Sequence, residues 1–283
     1  MHGPKILVRS LSVPFVPDRH HNLWQYHSRS DRHSKIACWC ILFDLLQRSK
    51  TLANQIACEE VAFGINHKMV DFKQNREKNL DLVVCTPRQD NGRKPKPMTF
   101  TSLASQYGIE LDNTERKKLA AAPTFAISPV GAVRMALEAK AAMTAHVRAL
   151  PRLFDELNSS HLTIHGSSDS AIAVGFAMIN MADDFLSSDL NKWPVGTRVA
   201  AISRHRQPED AERALRKVKE LPRRTKLGEV GYDAIAAVIV DCKNDGSPVT
   251  LVSKPPAPKP GNILHYASMI ERIAELYDGR YGT

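Results

Sequence analysis

The chain has 283 residues, with 39 Lys and Arg against 30 Asp and Glu, a formal charge of +9 and a pI near 9.4. This length fits one large domain, or one domain with an appended layer. Apolar residues make up 43% of the chain, which is enough for a core and excludes a wholly disordered protein. The excess of positive charge favours a polyanionic partner, of which nucleic acid is the commonest.

Signals for membranes and secretion are missing from the sequence. The most apolar stretch, 36–46, is about half the roughly 20 residues that a membrane helix needs, and it contains Asp44. The first residues have neither an apolar h-region nor a small-residue cleavage site. Five cysteines, an odd number, are typical of reduced thiols. We therefore expect a cytoplasmic protein with no membrane partner.

Residues 1–34 differ in composition from the rest of the chain. They contain three prolines, no apolar period and five of the eleven histidines: His2, His20, His21, His27 and His33. This composition predicts a disordered His/Arg-rich tail. The alternative interpretation is an arm that binds a metal or nucleic acid.

Helices and strands alternate from residue 35 onward. Apolar residues at three–four spacing predict helices over 36–46 and 50–61. Strand-like segments follow at 68–72 and 80–85, and Pro87 ends the second.

A long insertion separates these strands from the next one. It covers residues 86–131, begins with a basic, proline-rich segment at 88–96, and contains a short predicted helix near 114–122. Residues 132–142 then predict a buried strand that includes Glu138-Ala139-Lys140.

The following segments complete an α/β pattern. One apolar helical face runs over 143–157, with Pro151 as a kink or a new helix start. Polar residues at 158–169 predict a connection. Residues 171–181 are apolar on both faces, as in a central strand of a covered sheet.

The last third of the chain is basic. Residues 208–221 predict an amphipathic helix with acids at its start and bases at its end. Strands at 234–241 and 249–252 flank an Asn-Asp-Gly turn and predict a hairpin, and a final helix follows over 263–277. We expect residues 203–283 to form a basic layer packed on a core of residues 35–202.

Three charged residues lie in otherwise apolar strands. Glu138 and Lys140 project to the same face of their strand, because side chains alternate along a strand. If the strand that contains Asp81 pairs beside them, two carboxylates and one amine meet. Charges in apolar strands are costly unless something compensates them.

A divalent cation would compensate the two carboxylates. Mg²⁺ prefers oxygen ligands and commonly binds one or two carboxylates together with water and substrate phosphate. Bound to a phosphodiester, it polarises the phosphate and lowers the pKa of its water. Lys140 would then activate or orient that water.

The order of these elements resembles the PD-(D/E)xK nuclease core of restriction endonucleases, over roughly residues 35–182. The resemblance implies a restriction-endonuclease-like fold, a mixed β-sheet flanked by helices. It implies that Asp81 and Glu138 bind Mg²⁺ and that Lys140 assists the hydrolytic water. An accessory acid from the preceding helix would be Glu60, or less favourably Glu59.

The resemblance also implies a function and an assembly. The expected activity is restriction-type, Mg²⁺-dependent hydrolysis of DNA by a homodimer. The alternatives are a nuclease of repair or of a mobile element, and a nucleic-acid-binding protein without catalysis. Two features depart from the family pattern: Leu80 precedes Asp81 where the family has proline, and a long connection separates Asp81 from Glu138.

Basic side chains on two helices are candidate contacts for the DNA backbone. His146, Arg148 and Arg152 lie on the helix after Lys140. Arg213 and Lys217 lie on the amphipathic helix. The alternative interpretation is that both are ordinary solvated helix faces.

A second acid–lysine triplet competes with the first. Asp241-Cys242-Lys243 also ends an apolar strand, with Asp233 eight residues earlier. No turn separates the two acids, and Lys243 enters the Asn-Asp-Gly turn directly. We interpret this triplet as the end of a hairpin.

Overall fold

The computed structural model describes residues 1–88 and 98–282. In these ranges the helices are α1 (Gly3–Ser12), α2 (Arg32–Leu46), α3 (Lys50–Ala57), α4 (Phe100–Gln106), α5 (Asn113–Ala121), α6 (His146–Ser167), α7 (Glu209–Lys219) and α8 (Tyr266–Tyr281). The strands are β1 (Val16–Pro17), β2 (Leu23–Trp24), β3 (Ala62–Asp71), β4 (Arg76–Pro87), β5 (Val130–Ala142), β6 (Ile172–Asn180), β7 (Asp184–Leu186), β8 (Ile202–Arg204), β9 (Ala234–Asp241) and β10 (Thr250–Leu251). Apart from Arg88, the basic segment 88–96 lies outside the described residues.

Six strands form one mixed sheet in the order β10-β9-β6-β5-β4-β3. Strands β3, β4 and β5 form an antiparallel meander, whereas β5, β6 and β9 run parallel. Parallel neighbours need a crossover connection, and the chain passes from β5 to β6 through α6 and from β6 to β9 through α7. The predicted α/β architecture, a mixed sheet flanked by helices, is confirmed.

Helices cover both faces of this sheet. Helices α2 and α8 pack on one face, and α6 and α7 on the other. Central strand β6 is consequently buried at every position, as its apolar sequence on both faces predicts. Val174 and Phe176 join the apolar cluster under α2 and α8, whereas Ala173 and Ala177 join the one under α6 and α7.

The N-terminal segment is folded, unlike the disordered tail expected for residues 1–34. Helix α1 buries Ile6, Leu7 and Leu11 against α2. The Asp44 carboxylate of α2 accepts hydrogen bonds from the main-chain N–H of Gly3, at 2.8 Å, and of His2. A ten-residue helix gains most of its stability from such tertiary packing rather than from its own sequence, so composition alone pointed the other way.

The insertion before β5 packs against α2. Phe100, in α4, stacks on the Trp39 ring with centroids 4.5 Å apart, and Phe125 lies 4.8 Å from Phe63. The Phe100 N–H donates to the Phe125 carbonyl at 2.7 Å. The insertion thus folds outward and returns, which leaves β4 and β5 free to pair.

Two predicted boundaries differ from the structure. The connection expected at 158–169 is helical to Ser167, because Ser160 and Thr163 donate their hydroxyls to carbonyls four residues earlier and are tolerated inside α6. Residues 203–283 do not form a separate layer, because β9 and β10 extend the same sheet as β6.

Candidate metal-binding active site

Strands β4 and β5 separate beside Asp81. Their ladder begins at the pair Leu82 and Leu137, which makes Asp81 and Glu138 the next residues along the two strands. The Asp81 Oδ2 atom accepts a hydrogen bond from the Ala139 N–H at 2.9 Å. The Asp81 carboxylate therefore binds a main-chain N–H at the point where β4 and β5 separate. This position lies next to the Glu138-x-Lys140 triplet.

Glu138 and Lys140 form an ion pair on the face of β5 that α6 covers. The Lys140 Nζ atom lies 2.8 Å from Glu138 Oε1. A second cation, Lys78 on β4, places its Nζ 3.8 Å from the same oxygen and also donates to the Glu156 carbonyl. Both cations approach the same side of the carboxylate.

None of the described residues is a hydrogen-bond partner of the other oxygen of Glu138. Glu138 is 1% exposed, and its Oε2 atom is buried without a hydrogen-bond donor. A buried carboxylate oxygen without a donor loses its hydration and gains nothing in return. This oxygen is therefore suited to an additional cationic ligand.

The pKa values of both acids at this place are raised. Burial, and then the charge of Asp81, raise the pKa of Glu138 to about 7, although Lys140 and Lys78 oppose the change. Burial also raises the pKa of Asp81, against the effects of Lys140 and the Ala139 N–H. Two buried acids with raised pKa values form an environment that a divalent cation would stabilise in its ionised state.

Lys140 remains an ammonium group in this environment. Burial opposes its charge, but Glu138 and Asp81 outweigh burial and raise the pKa of Lys140. A lysine held in this way is a hydrogen-bond donor and a point charge rather than a base. Of the two roles expected for it, the geometry favours orienting a water over deprotonating one.

A second acid reaches this lysine from α6. The Glu156 Oε2 atom lies 3.2 Å from Lys140 Nζ, and its Oε1 atom lies 2.5 Å from Arg152 Nε. Burial would raise the pKa of Glu156, but Arg152 and Lys140 outweigh it and lower that pKa. Glu156 therefore stays ionised and holds Lys140 between two carboxylates.

The N-terminus of α2 closes the other side of the site. The Ser34 hydroxyl donates to the Ala139 carbonyl at 2.8 Å. The charge of Asp31, which pairs with Lys35 at 2.7 Å, contributes to the raised pKa of Asp81. Burial, and then the charge of Lys140, lower the pKa of half-buried His33 to about 4.

Asp81 and Glu138 are the two acids here that could hold a metal ion. Across residues 1–88 and 98–282, no three His, Cys, Asp or Glu side chains are already grouped around one point. A cation at this place would therefore take two carboxylates from the protein, and main-chain, water and substrate oxygens for the rest. Such a partial set is usual for Mg²⁺, which retains waters and binds substrate phosphate.

The accessory acid predicted from the helix before β3 is placed elsewhere. Glu60 is exposed, two residues before Ala62, which pairs with Cys85 at the opposite end of β4. Cys85 is four residues from Asp81, about 13 Å along the strand. The start of β3 therefore holds Glu60 away from the site, and Glu59 precedes it in the same turn.

Three charged residues of the site were missed by the sequence analysis. Lys78 lies between the two strand-like segments predicted at 68–72 and 80–85. Glu156 lies on a helix face where an acid is ordinary, and Asp31 was included in the disordered tail. No spacing in the sequence marked any of the three, although Lys78 proves to lie in the same strand as Asp81.

The residues predicted to contact DNA differ in their exposure and in their partners. His146 is 2% exposed and donates from Nε2 to the Asn180 carbonyl at 3.0 Å, so it faces the interior and not a phosphate. Arg148 and Arg152 are exposed on α6. On α7, Arg213 pairs with Glu209 at 2.5 Å, and Lys217 pairs with Glu220 at 2.7 Å.

The competing triplet does not assemble a site. Asp233 lies before β9 and Asp241 ends that strand, eight residues apart or about 26 Å. Asp233 is bound by buried Arg224, at 3.0 Å, and by Arg280, at 2.7 Å. It is a structural anion, and Asp241 pairs with Thr250 at the hairpin that was predicted.

Within the described ranges, none of the helices combines the length and the apolar character needed to cross a bilayer. The chain matches no protein-family model, no curated protein and no solved structure.

Proposed function

We propose that this protein is a Mg²⁺-dependent nuclease that hydrolyses DNA phosphodiesters. The observation that carries the proposal is the buried Oε2 atom of Glu138, which has no hydrogen-bond partner among the described residues. Glu138 lies next to Asp81, and Lys140 binds the other oxygen of its carboxylate. A buried carboxylate oxygen that has no donor among the described residues is a position where a bound cation would be stabilised.

The topology supports the same proposal. The chain runs helix α2, helix α3, three antiparallel strands, helix α6 and parallel strand β6. This order is the one that the resemblance to the PD-(D/E)xK core implies, with Asp81 on the second strand of the meander and the triplet on the third. The net charge of +9 suits a polyanionic substrate.

Each residue would have a defined task. Asp81 and Glu138 would hold Mg²⁺, which when bound polarises the scissile phosphate and acidifies a water. The Ala139 N–H fixes the orientation of the Asp81 carboxylate. Lys140 donates to a water or to a phosphate oxygen, while Glu156 keeps its ammonium in place.

A plasmid-nicking assay with Mg²⁺ or EDTA tests the proposal. The variants Asp81→Asn, Glu138→Gln and Lys140→Met should each lose about 100-fold or more in rate, with circular dichroism unchanged. The matched controls are Asp241→Asn and Lys243→Met, which alter the other acid–lysine triplet and should cleave as the native protein does.

Three results would contradict this assignment. Full activity in all three site variants would refute the site, and activity lost only in the controls would move it to the second triplet. Metal-independent DNA binding without cleavage would support the alternative, a nucleic-acid-binding protein without catalysis.

A further inference from the structure

An exposed loop lies between β7 and β8. Residues 192–200 connect the segment after β7 to β8, and all of them are exposed except Trp193, which is half-buried. Val199 is 93% exposed, the highest value among the large apolar side chains of the described residues. The loop contains no acid and two bases, Lys192 and Arg198.

The base of the loop is firmly anchored. Fully buried Asn191 donates to the carbonyls of Ser187, at 2.9 Å, and Ala201, at 2.8 Å, and accepts from the Ala201 N–H. Asn22, beside β2, donates to the Trp193 carbonyl and accepts from the Val195 N–H at 2.7 Å. Five hydrogen bonds therefore hold a loop whose outer side chains contact solvent.

The tip of the loop combines a cation with an apolar side chain. The Arg198 guanidinium lies 5.5 Å from the centroid of the Trp193 ring. Val199, next to Arg198, is exposed to solvent. Leu190 and Ile202 are exposed at the two ends of the loop. Cations flanking an apolar wedge are the pattern by which proteins contact phosphates and insert between bases.

A series of contacts links the base of the loop to the candidate site. Asn22, which holds the loop, lies four residues before Tyr26. The Tyr26 ring lies 5.0 Å from the ring of His33, and the next residue, Ser34, donates its hydroxyl to the carbonyl of Ala139, between Glu138 and Lys140. A duplex bound at the site would therefore extend toward the loop.

We propose that loop 192–200 is a DNA-contacting element, with Lys192 and Arg198 on backbone phosphates and Val199 against a base or sugar. The identity of the ligand rests on the proposed function. A second copy of the chain is the other partner that could cover Val199. If the two copies met loop to loop, Lys192 and Arg198 would face no acid, because the loop contains none.

Binding is measured in EDTA, where Mg²⁺-dependent cleavage does not interfere. The probe is a fluorescent DNA duplex followed by anisotropy over a salt series. Arg198→Gln and Lys192→Gln should each weaken binding about eightfold at 0.1 M salt and together reduce the salt slope by about 1.8. Val199→Ser should weaken binding about fivefold with no change of slope.

Two matched controls lie far from the loop. Phe72→Ser alters an 80% exposed apolar residue at the β3–β4 turn. Arg48→Gln alters an exposed base just beyond the C-terminus of α2, at the opposite end from Ser34. Neither should alter affinity more than twofold, or about 0.4 kcal/mol.

The outcomes separate this inference from the proposed function. Loop-dependent binding without cleavage would refute the nuclease and retain the loop assignment. If the protein cleaves DNA and none of the three loop substitutions changes its DNA affinity, only the loop assignment is refuted. Absence of duplex binding by the native protein would also refute the loop assignment. A lower molar mass of Val199→Ser in light scattering, with unchanged DNA affinity, would identify the loop as a protein interface instead.

Discussion

The Glu138→Gln substitution keeps the size of a buried side chain and removes its ionisation. In the folded protein, burial and Asp81 raise the pKa of Glu138 from its ordinary 4.5 to about 7. Between these two values the folded state holds a proton that the unfolded state has released. Stability therefore falls as pH rises through this window.

The magnitude follows from the two pKa values. Their difference, 7 minus 4.5, is 2.5, and each pKa unit corresponds to 1.36 kcal/mol, so the native protein should lose about 3 kcal/mol of unfolding free energy between pH 4.5 and pH 7 because of this residue. The Glu138→Gln variant should not show this pH-dependent loss of unfolding free energy. Any effect of the amide on stability that does not depend on pH cancels when the shapes of the two pH profiles are compared.

Urea unfolding at several pH values, in EDTA, measures the difference between native protein and variant. Adding Mg²⁺ should recover stability in the native protein above pH 7, because the ion binds the deprotonated carboxylate, and should have little effect on the variant. Parallel pH profiles, or equal stabilisation of both proteins by Mg²⁺, would refute the reasoning.

Three further substitutions test the surroundings of the site and the fold. Lys78→Met removes a cation that lowers the pKa of Glu138, so the stability loss in the same urea series should extend to higher pH; a loss that ends at the same pH as in the native protein would exclude this coupling. Leu7→Ala should destabilise the protein by about 2–5 kcal/mol, whereas a disordered N-terminal tail would give no change in the urea midpoint. Arg224→Met leaves buried Asp233 with only part of its compensation and should cost about 3 kcal/mol in urea unfolding, with plasmid nicking below the unfolding transition retained.

The charged residues inside apolar strands were visible in the sequence. An ionised side chain among apolar neighbours needs compensation, so Asp81, Glu138 and Lys140 stood out before their positions were known. The structure brings Asp81 beside the triplet because the intervening insertion packs outward against α2. The sheet architecture was predictable for a related reason, since the apolar pattern of β6 requires helices on both faces.

The remaining charges of the site had no such signal. Lys78, Glu156 and Asp31 occupy positions where a charged side chain is ordinary, and nothing local distinguishes them from solvated residues. Their roles arise from tertiary placement: α6 brings Glu156 over Lys140, and the loop before α2 brings Asp31 toward Asp81. Only knowledge of which elements pack together could have identified them.

The direction of α2 explains why Glu60 does not lie beside Asp81. Sequence proximity to β3 pointed to Glu60, but β3 begins beside Cys85, at the end of β4 remote from Asp81. The chain must leave α2 and α3 at that same end to enter β3, so the beginning of α2 lies at the other. The hydrogen bond from Ser34 to the Ala139 carbonyl fixes this polarity. If α2 supplies an acid to the proposed site, that acid therefore comes from the start of the helix, which is where Asp31 lies.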